Sequence, residues 1–362
     1  MAIEKSQVIN VLKSISVDQG LSAAHSSILK DILINKFNIT LRLSVQNPSL
    51  QFKNKLIKDI KANLLNVFPS ALVTVDVTYK KEAIKVTNKS AINNIIAIAS
   101  GKGGVGKSTI SSNLAISFQK KGYSVGLIDA DIYGPSIPLM FDATSSRPKV
   151  VEKNGVSLIS PIISYGVKIM SIGFFSDVGQ AIVWRGPMAT KALKQIINQT
   201  DWGELDYLFI DLPPGTGDVH LSLVQTIALT GSIIVTTPQP VSLIDAKKAI
   251  NMFKMKDINV PIIGLVENMS WFEIDNKKHY IFGRDGGKNI AFSEKIELLS
   301  ELPLDQSIRE AGDVGRPASL QKGRLAQLFS SLADCVEIQI KLRRQELSKT
   351  KKVEITHNRG CN

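Results

Sequence analysis

The chain has 362 residues, 44% of them hydrophobic, and a formal net charge of +12. At about 150 residues per domain, this length predicts two to three domains. No apolar run approaches the roughly 18 residues of a membrane-spanning helix, so we expect no membrane span. The N-terminus lacks a secretory signal pattern, and two cysteines are too few for a disulfide framework. A cytoplasmic protein is therefore expected.

The positive charge is confined to the two ends of the chain. Residues 1–90 carry 13 basic and six acidic side chains, residues 341–362 carry seven and two, and residues 91–340 carry 24 of each. The largest segment therefore has no net charge that would attract a polyanion. Nucleic acid is not the favoured partner, although the basic tail 341–362, which we expect to be mobile, keeps that alternative open.

Residues 1–82 have the pattern of a small α+β domain. Apolar residues at helical or alternating spacing predict helices at 8–15 and 53–67 and strands at 37–45 and 72–79. The polar stretch 83–93 is predicted to be a linker. The following segment, 94–340, is predicted to be a separate and larger domain.

The larger domain has a different pattern. Short, continuous apolar runs occur at 95–99, 125–128, 207–210, 232–236 and 262–266. Such runs are typical of strands buried on both faces, and the helical stretches between most of them predict a doubly wound parallel α/β sheet. Ligands of such sheets bind beyond the carboxyl ends of the strands, where the polar motifs of this chain fall.

The first buried strand is followed by a phosphate-binding loop, Gly101-Lys102-Gly103-Gly104-Val105-Gly106-Lys107-Ser108-Thr109. This string contains the P-loop pattern G-x-x-x-x-G-K-[ST]. Glycines allow a tight turn whose backbone N–H groups point at phosphate oxygens, and the following helix adds the positive end of its dipole. Lys107 is expected to neutralise the β- and γ-phosphates, and Ser108 to bind Mg²⁺. The sequence therefore predicts an ATP site at 101–109.

Carboxylates and an amide follow three other buried strands. Asp211 follows four consecutive apolar residues, as the aspartate of a Walker B strand does, and is expected to hold a Mg²⁺-bound water. The following 215–217 (Gly-Thr-Gly) is a candidate switch loop, and His220 is expected to pack at the start of the next helix. Asp129 and Asp131 end the second strand, although Asp129 alone fits a helix-cap or turn carboxylate equally well. Asn268 is a candidate adenine contact, with an Asx-turn as the alternative.

These segments together resemble the Mrp/ApbC-type iron–sulfur cluster carriers, a branch of the deviant P-loop (MinD/ParA-like) ATPases. The resemblance is nearly continuous from 95 to 335. It rests on the phosphate loop, on Trp184-Arg185-Gly186-Pro187-Met188, and on segments 129–136, 201–207, 211–218, 267–270, 281–287 and 303–310. Residues 1–80 are similar to a small domain, related to iron–sulfur assembly factors, that is often fused to this family.

The resemblance implies further roles. Lys102 would be the signature lysine that reaches the nucleotide of a partner subunit in a homodimer. Asp131 would position the attacking water, and Asp129 would support the Mg²⁺ shell beside Ser108 and Asp211. The implied activity is ATP hydrolysis by a nucleotide-sandwich dimer that transfers iron–sulfur clusters of the 4Fe-4S type to apoproteins, with assembly factors as further partners.

The chain departs from this family at the expected cluster ligands. The family usually has Cys-x-x-Cys shortly after the Glu-Asn-Met-Ser string, whereas 271–280 contains no cysteine here. Cys335 lies in an apolar helical stretch and is expected in the core, and Cys361 lies in the tail. The cluster ligands are therefore unknown. The alternatives are a ParA/MinD-like ATP-dependent spatial organiser and a cluster-free, nucleotide-gated adaptor that recruits assembly factors through residues 1–80.

Overall fold

The structure is a computed structural model. It describes residues 3–17, 21–26, 28–45, 50–79, 92–132, 134–153, 155–175, 186–217, 220–221, 224 and 227–346. Contacts divide the chain into two compact units, Met1–Thr87 and Asn88–Asn362. Most of the predicted linker 83–93 lies outside the described residues.

The first unit is a three-stranded sheet with two helices. Its elements are α1 (Lys5–Lys13), β1 (Leu29–Asn35), β2 (Asn38–Val45), α2 (Leu50–Val67) and β3 (Leu72–Tyr79). The strand order is β1-β2-β3, with β1/β2 antiparallel and β2/β3 parallel. Alternate residues of β2, such as Leu41, and one face of α2, such as Ile60, form a core of their own. All four predicted elements are confirmed, although α1 lies about one turn earlier than predicted.

The second unit contains the remaining helices and strands. Its helices are α3 (Lys107–Lys120), α4 (Ile137–Met140), α5 (Gly186–Gln199), α6 (Pro240–Lys254), α7 (Gly286–Glu294), α8 (Gln306–Asp313) and α9 (Arg324–Glu346), with 3-10 turns at Ile172–Phe175 and Ala318–Leu320. Its strands are β4 (Ile92–Ala99), β5 (Val125–Asp129), β6 (Val150–Lys153), β7 (Val156–Ile159), β8 (Ile162–Ser164), β9 (Val167–Ser171), β10 (Leu205–Asp211), β11 (Gly231–Thr236), β12 (Ile262–Glu267), β13 (Phe272–Ile274), β14 (Lys277–His279) and β15 (Leu298–Glu301).

Eight of these strands form one sheet in the order β15-β12-β11-β4-β10-β5-β9-β8. Every neighbouring pair is parallel except β8/β9. Each face of the sheet has its own core: Ile96 and Ile98 belong to one, Ala97 and Ala99 to the other. The predicted doubly wound α/β fold is thus confirmed, and the order places β4, β5 and β10 at the centre with their carboxyl ends together.

The last helix differs from its predicted limit. α9 continues to Glu346, six residues into the predicted basic tail. There the buried Arg343 extends the stripe of Val336 and Ile340, and Arg344 donates to Asn94 Oδ1 at 2.8 Å. Cys335 on this helix is only partly buried and packs against the core. The rest of the tail, 347–362 with Cys361, lies outside the described residues. In the part of the chain that the structure describes, no helix combines the length and apolarity needed to cross a bilayer.

Candidate nucleotide site

The phosphate loop joins the end of β4 to the start of α3. Its backbone adopts the left-handed conformation at Gly104 (φ 80°) and at Gly106 (φ 84°), which costs a glycine little. Gly101 packs so closely on α6 that a Cβ there would overlap the backbone carbonyl of Asp245. Val105 is buried, and Gly103 and Gly104 are exposed. The predicted loop therefore forms, with its glycines where the backbone requires them.

The side chains after the loop converge on one carboxylate. Lys107 Nζ lies 2.8 Å from Asp211 Oδ1, and the hydroxyl of Ser108 donates to Asp211 Oδ2 at 2.6 Å. Ser111, one turn further along α3, donates to Asp211 Oδ1 at 2.7 Å. Asp211 is fully buried and Lys107 is 6% exposed. The lysine and serine of the phosphate loop and the aspartate of the Walker B-like strand, predicted from two separate motifs, thus meet at one point.

A second buried carboxylate lies beside the first. Asp129 is the register neighbour of Asp211 across the parallel pair β5/β10. Its oxygens accept hydrogen bonds from the backbone amides of Asp131 and Ile137 and from the Ser171 hydroxyl, each at 3.1 Å. Burial, together with the negative charge of Asp211, raises the pKa of Asp129 to about 7. Asp129 therefore caps local backbone amides, as its alternative interpretation expected, and also lies beside the predicted metal ligand.

The other predicted residues surround this pair. Asp131 is half-buried and accepts a hydrogen bond from the Gly134 amide at 3.3 Å. Lys102 is exposed on the loop, and no described residue pairs with its ammonium group. Thr109 is half-buried in the first turn of α3. Of these residues Lys102 is the most exposed, and Asp131 lies next to Asp129 through its backbone amide.

Asn268 lies directly under the phosphate loop. It is 7% exposed, and its amide nitrogen donates to the Val105 carbonyl at 2.9 Å. The approach is so close that a Cβ on Gly106 would overlap that nitrogen. Its backbone amide donates to Thr236 at the end of β11. Asn268 thus links β12 to the loop through its amide nitrogen, and its contact with adenine stays a prediction.

Comparison with known proteins identifies the family. A family model described as NUBPL iron-transfer P-loop NTPase matches residues 91–337, about two thirds of the chain. The chain belongs to this family. The iron–sulfur cluster carrier protein of Haemophilus influenzae is 40% identical over 333 residues, which are 87% of this chain and 89% of that protein.

Solved structures support the fold. A nucleotide-binding protein in complex with ADP from Archaeoglobus fulgidus is 36% identical, with a TM-score of 0.56, and the match covers 64% of this chain and 90% of that one. The cell-division ATPase MinD of Pyrococcus furiosus is 22% identical, with a TM-score of 0.52 and coverage of 68% and 99%. The second likeness shows the P-loop fold alone.

The segment in which this family usually carries its cluster ligands, 271–280, forms a short hairpin here, β13/β14. Its paired residues are Phe272 with His279, Glu273 with Lys278 and Ile274 with Lys277, none of them a thiol. Among the described residues, no group of three or more His, Cys, Asp or Glu side chains is placed to hold a metal ion. Trp184 and Arg185, and Asp218 at the end of the segment 211–218, lie outside the described residues.

Two polar residues of the site were not assigned from the sequence. Ser111 is the third donor to Asp211, and Ser171 is a donor to Asp129. His220, which was expected to pack at the start of the helix after the loop, is 2% exposed. Ser111 could have been found, because it lies four residues after Lys107 and so on the same helix face. Ser171 ends a strand whose position beside β5 the local pattern did not predict.

Proposed function

We propose that this chain is an ATP-binding and ATP-hydrolysing carrier that transfers iron–sulfur clusters to apoproteins as a nucleotide-sandwich dimer. The observation that carries the nucleotide part is the convergence of Lys107, Ser108 and Asp211 beneath a formed phosphate loop. The cargo part rests on family membership and on the relatives that are named iron–sulfur cluster carrier proteins. The two parts can fail separately, so each has its own test.

ATP binding follows from the charges of the loop. Backbone N–H groups between 101 and 108 and the dipole of α3 favour a phosphate group. Lys107 would leave Asp211 for the β- and γ-phosphates, which carry more charge, and the half-buried Asp131 would orient the attacking water. A triphosphate carries more negative charge than the single carboxylate of Asp211. It can therefore replace Asp211 as the partner of the Lys107 ammonium group.

Mg²⁺ fits the donors that remain. The Ser108 hydroxyl and the Asp211 carboxylate supply oxygen atoms, which Mg²⁺ prefers, and Asp129 lies in register beside them. Ser108 would bind the ion directly, and Asp211 and Asp129 would hold its water shell. When bound, the ion neutralises charge that develops on the phosphate oxygens.

ATP turnover tests the enzymatic part. We expect Lys107→Ala to lower kcat by at least about a hundredfold, because a cation aimed at the transferred phosphate is lost. Lys248→Ala is the matched control, since Lys248 is an exposed lysine on α6 that pairs only with Asp245 among the described residues. Turnover that survives Lys107→Ala but not removal of Mg²⁺ would overturn the assignment of Lys107.

The dimer is supported by what surrounds the loop. Lys102 projects from it, and exposed apolar side chains flank the site on both sides: Val241 (61% exposed) and Ile244 (60%) on α6, and Leu139 (50%) on α4. A second copy facing the loop would cover this apolar surface and receive Lys102 at its nucleotide. Light scattering with a non-hydrolysable ATP analogue should give twice the monomer mass. We expect Lys102→Ala to reduce both dimer and turnover, whereas a turning-over monomer would contradict the dimer.

The cargo is tested by metal analysis. Anaerobic reconstitution should load iron and acid-labile sulfide onto the purified protein, and the loaded protein should restore an apoprotein of the 4Fe-4S class. Cys335→Ser and Cys361→Ser, tested separately, show whether either thiol of the chain is a ligand. A protein that takes up no iron or sulfide would contradict the carrier role and leave the ATPase part intact.

The thiol-free hairpin favours one second candidate, a nucleotide-gated adaptor. In that case the ATPase unit would switch the binding of assembly factors to the first unit, Met1–Thr87. Deletion of residues 1–80 would then abolish capture of a purified assembly factor and leave ATP turnover unchanged. Loss of both activities, or unchanged capture, would contradict the adaptor.

A further inference from the structure

Asp211 accepts hydrogen bonds on both carboxylate oxygens, and the two oxygens have different partners. Oδ1 lies 2.8 Å from Lys107 Nζ and 2.7 Å from the hydroxyl oxygen of Ser111. Oδ2 accepts from the Ser108 hydroxyl at 2.6 Å, its only donor among the described residues. Because Asp211 is fully buried, an oxygen that loses its donor has to find another one inside the protein. The orientation of this carboxylate therefore depends on three side chains.

Two of these three donors are the residues that ATP and Mg²⁺ would engage. In the proposed function Lys107 turns to the β- and γ-phosphates, and the Ser108 hydroxyl binds the ion. Both would leave Asp211 when its carboxylate has to hold the water shell of the ion. Ser111 is then the remaining donor in the described part of the chain, and nothing in the proposed function requires it to move.

The hydroxyl of Ser111 has a choice of two acceptors. Ser111 is fully buried and lies four residues after Lys107, hence on the same face of α3. Buried helical serines commonly donate to the carbonyl four residues earlier, and Ser111 Oγ is also 3.0 Å from the Lys107 carbonyl. The hydroxyl has a single hydrogen, and the Asp211 oxygen is both nearer and negatively charged. The hydrogen is therefore donated to Asp211.

The contact between Ser111 and Asp211 joins two elements that are packed together. Ile110 and Leu114 of α3 and Phe209 of β10 are fully buried members of one core. Lys107 can leave by rotation of its long, flexible side chain, and the half-buried Ser108 by rotation of its hydroxyl. Neither movement requires the helix or the strand to shift, so the distance from Ser111 to Asp211 is set by the fold.

We propose that Ser111 is a positioning residue of the nucleotide site. It keeps its hydrogen bond to Asp211 Oδ1 when Lys107 and Ser108 turn to ATP and Mg²⁺, and so holds the carboxylate in place for the water shell of the ion. Ser111 itself touches neither the nucleotide nor the metal. This inference deepens the proposed function and rests on the roles that the proposed function gives to Lys107, Ser108 and Asp211.

The dependence of ATP affinity on Mg²⁺ tests this role. Calorimetry with ATP is performed once with excess Mg²⁺ and once with EDTA. We expect Ser111→Ala to weaken binding about tenfold with Mg²⁺, because a hydrogen bond to a charged group is lost. In EDTA we expect a loss of less than about twofold, because Ser108 then stays with Asp211 and the loop amides still bind the phosphates. Equal losses under the two conditions, or no loss with Mg²⁺, would overturn the proposal.

Ser112→Ala is the matched control. Ser112 is the next residue of α3 and is 1% exposed, but its hydroxyl donates to Met140 Sδ at 3.3 Å. Alanine is the best helix former, so both alanine variants should stay folded, which thermal unfolding checks. Ser112→Ala should bind ATP like the wild type under both conditions, and a loss equal to that of Ser111→Ala would contradict the role of Ser111.

Ser111→Thr is the conservative variant. It keeps the hydroxyl and should recover most of the Mg²⁺-dependent affinity that Ser111→Ala loses. A folded Ser111→Thr protein that binds as weakly as Ser111→Ala would contradict the role of the hydroxyl. If the added methyl group prevents folding, the comparison of the two alanine variants still decides.

A second readout needs neither nucleotide nor metal. Lys107→Met imitates the state in which Lys107 has left Asp211, so Ser111 should matter more in that background. We expect Ser111→Ala to lower the midpoint of urea unfolding at least about twice as much in Lys107→Met as in the wild type. Equal shifts would contradict the role of Ser111 as the remaining donor. If the wild type does not bind ATP, the proposed function fails, and the urea midpoints still decide whether Ser111 holds Asp211.

Discussion

Lys107 and Asp211 form a buried ion pair, with 2.8 Å between Nζ and Oδ1. In the sequence these residues belong to two motifs with separate partners, the phosphates for one and the magnesium ion for the other. In the structure the side chain of Lys107 faces the carboxylate of Asp211 in a buried site. Under the proposed function, binding of Mg²⁺ and ATP would therefore be an exchange of partners for Lys107 and Asp211.

Loss of one partner should destabilise the protein even without nucleotide. We expect Lys107→Met to lower the free energy of unfolding by about 3–5 kcal/mol, because Asp211 would keep a buried charge without a cation. Urea unfolding in the absence of nucleotide measures it. The double variant Lys107→Met/Asp211→Asn should recover part of that loss, so the two effects should not add. Additive losses would contradict a coupled pair.

The contact between Gly106 and Asn268 makes a second prediction. Gly106→Ala places a Cβ at a φ of 84° and against the Asn268 amide, so we expect ATP affinity to fall at least about tenfold. Calorimetry with Mg²⁺ and ATP measures the affinity. Gly106→Ala/Asn268→Ala removes the overlap but not the backbone strain, and should recover only part of the loss. Gly122→Ala is the control, because Gly122 also has a positive φ (92°) but has open space around it.

Local patterns in the sequence predicted the centre of the fold. The runs that became β4, β5, β10, β11 and β12 are continuous and β-branched because both faces of each strand are covered, and this burial leaves a signal in the sequence itself. The motif residues follow those strands, so their meeting at one edge followed from the fold class. Lys107, Ser108 and Asp211 could therefore be assigned together.

The parts that could not be predicted depend on contacts distant in the sequence. β1 was missed because Lys30 and Asp31 interrupt its apolar alternation and a register shift separates Leu29 from Asp31. The edge strands β8 and β15 and the ribbon β6/β7 are three or four residues long and only partly buried, which leaves too short a pattern. The hydrogen bond from Ser171 to Asp129 depends on a neighbouring strand that only the folded chain supplies.

Asp129 predicts a pH dependence of stability. Its pKa in the folded chain, about 7, exceeds the ordinary value of 3.8, so folding favours the protonated carboxyl. This contribution is fully present below about pH 4 and is lost as the pH rises through 7. We expect nucleotide-free wild type to lose stability between pH 5 and 8 relative to Asp129→Asn, by on the order of 2–4 kcal/mol. Thermal unfolding across that range measures it, and parallel pH profiles of the two proteins would contradict it.

Glu337 on α9 predicts the opposite dependence. Its buried carboxylate accepts hydrogen bonds from Lys121, from Lys341 at 2.5 Å and from the Tyr123 hydroxyl at 2.8 Å, and these partners lower its pKa to about 2. The stabilisation is present above the ordinary pKa of 4.5 and is lost as the pH falls toward 2. We expect Glu337→Gln to lower the free energy of unfolding by about 1–2 kcal/mol at pH 7. This is less than the full pKa shift implies, because solvent screens the lysines. The difference between variant and wild type should shrink at pH 3.5. Chemical unfolding at both pH values measures the difference. Asp334→Asn is the control: this exposed partner of Lys121 should change stability little, and a cost equal to that of Glu337→Gln would show that burial of the carboxylate does not matter.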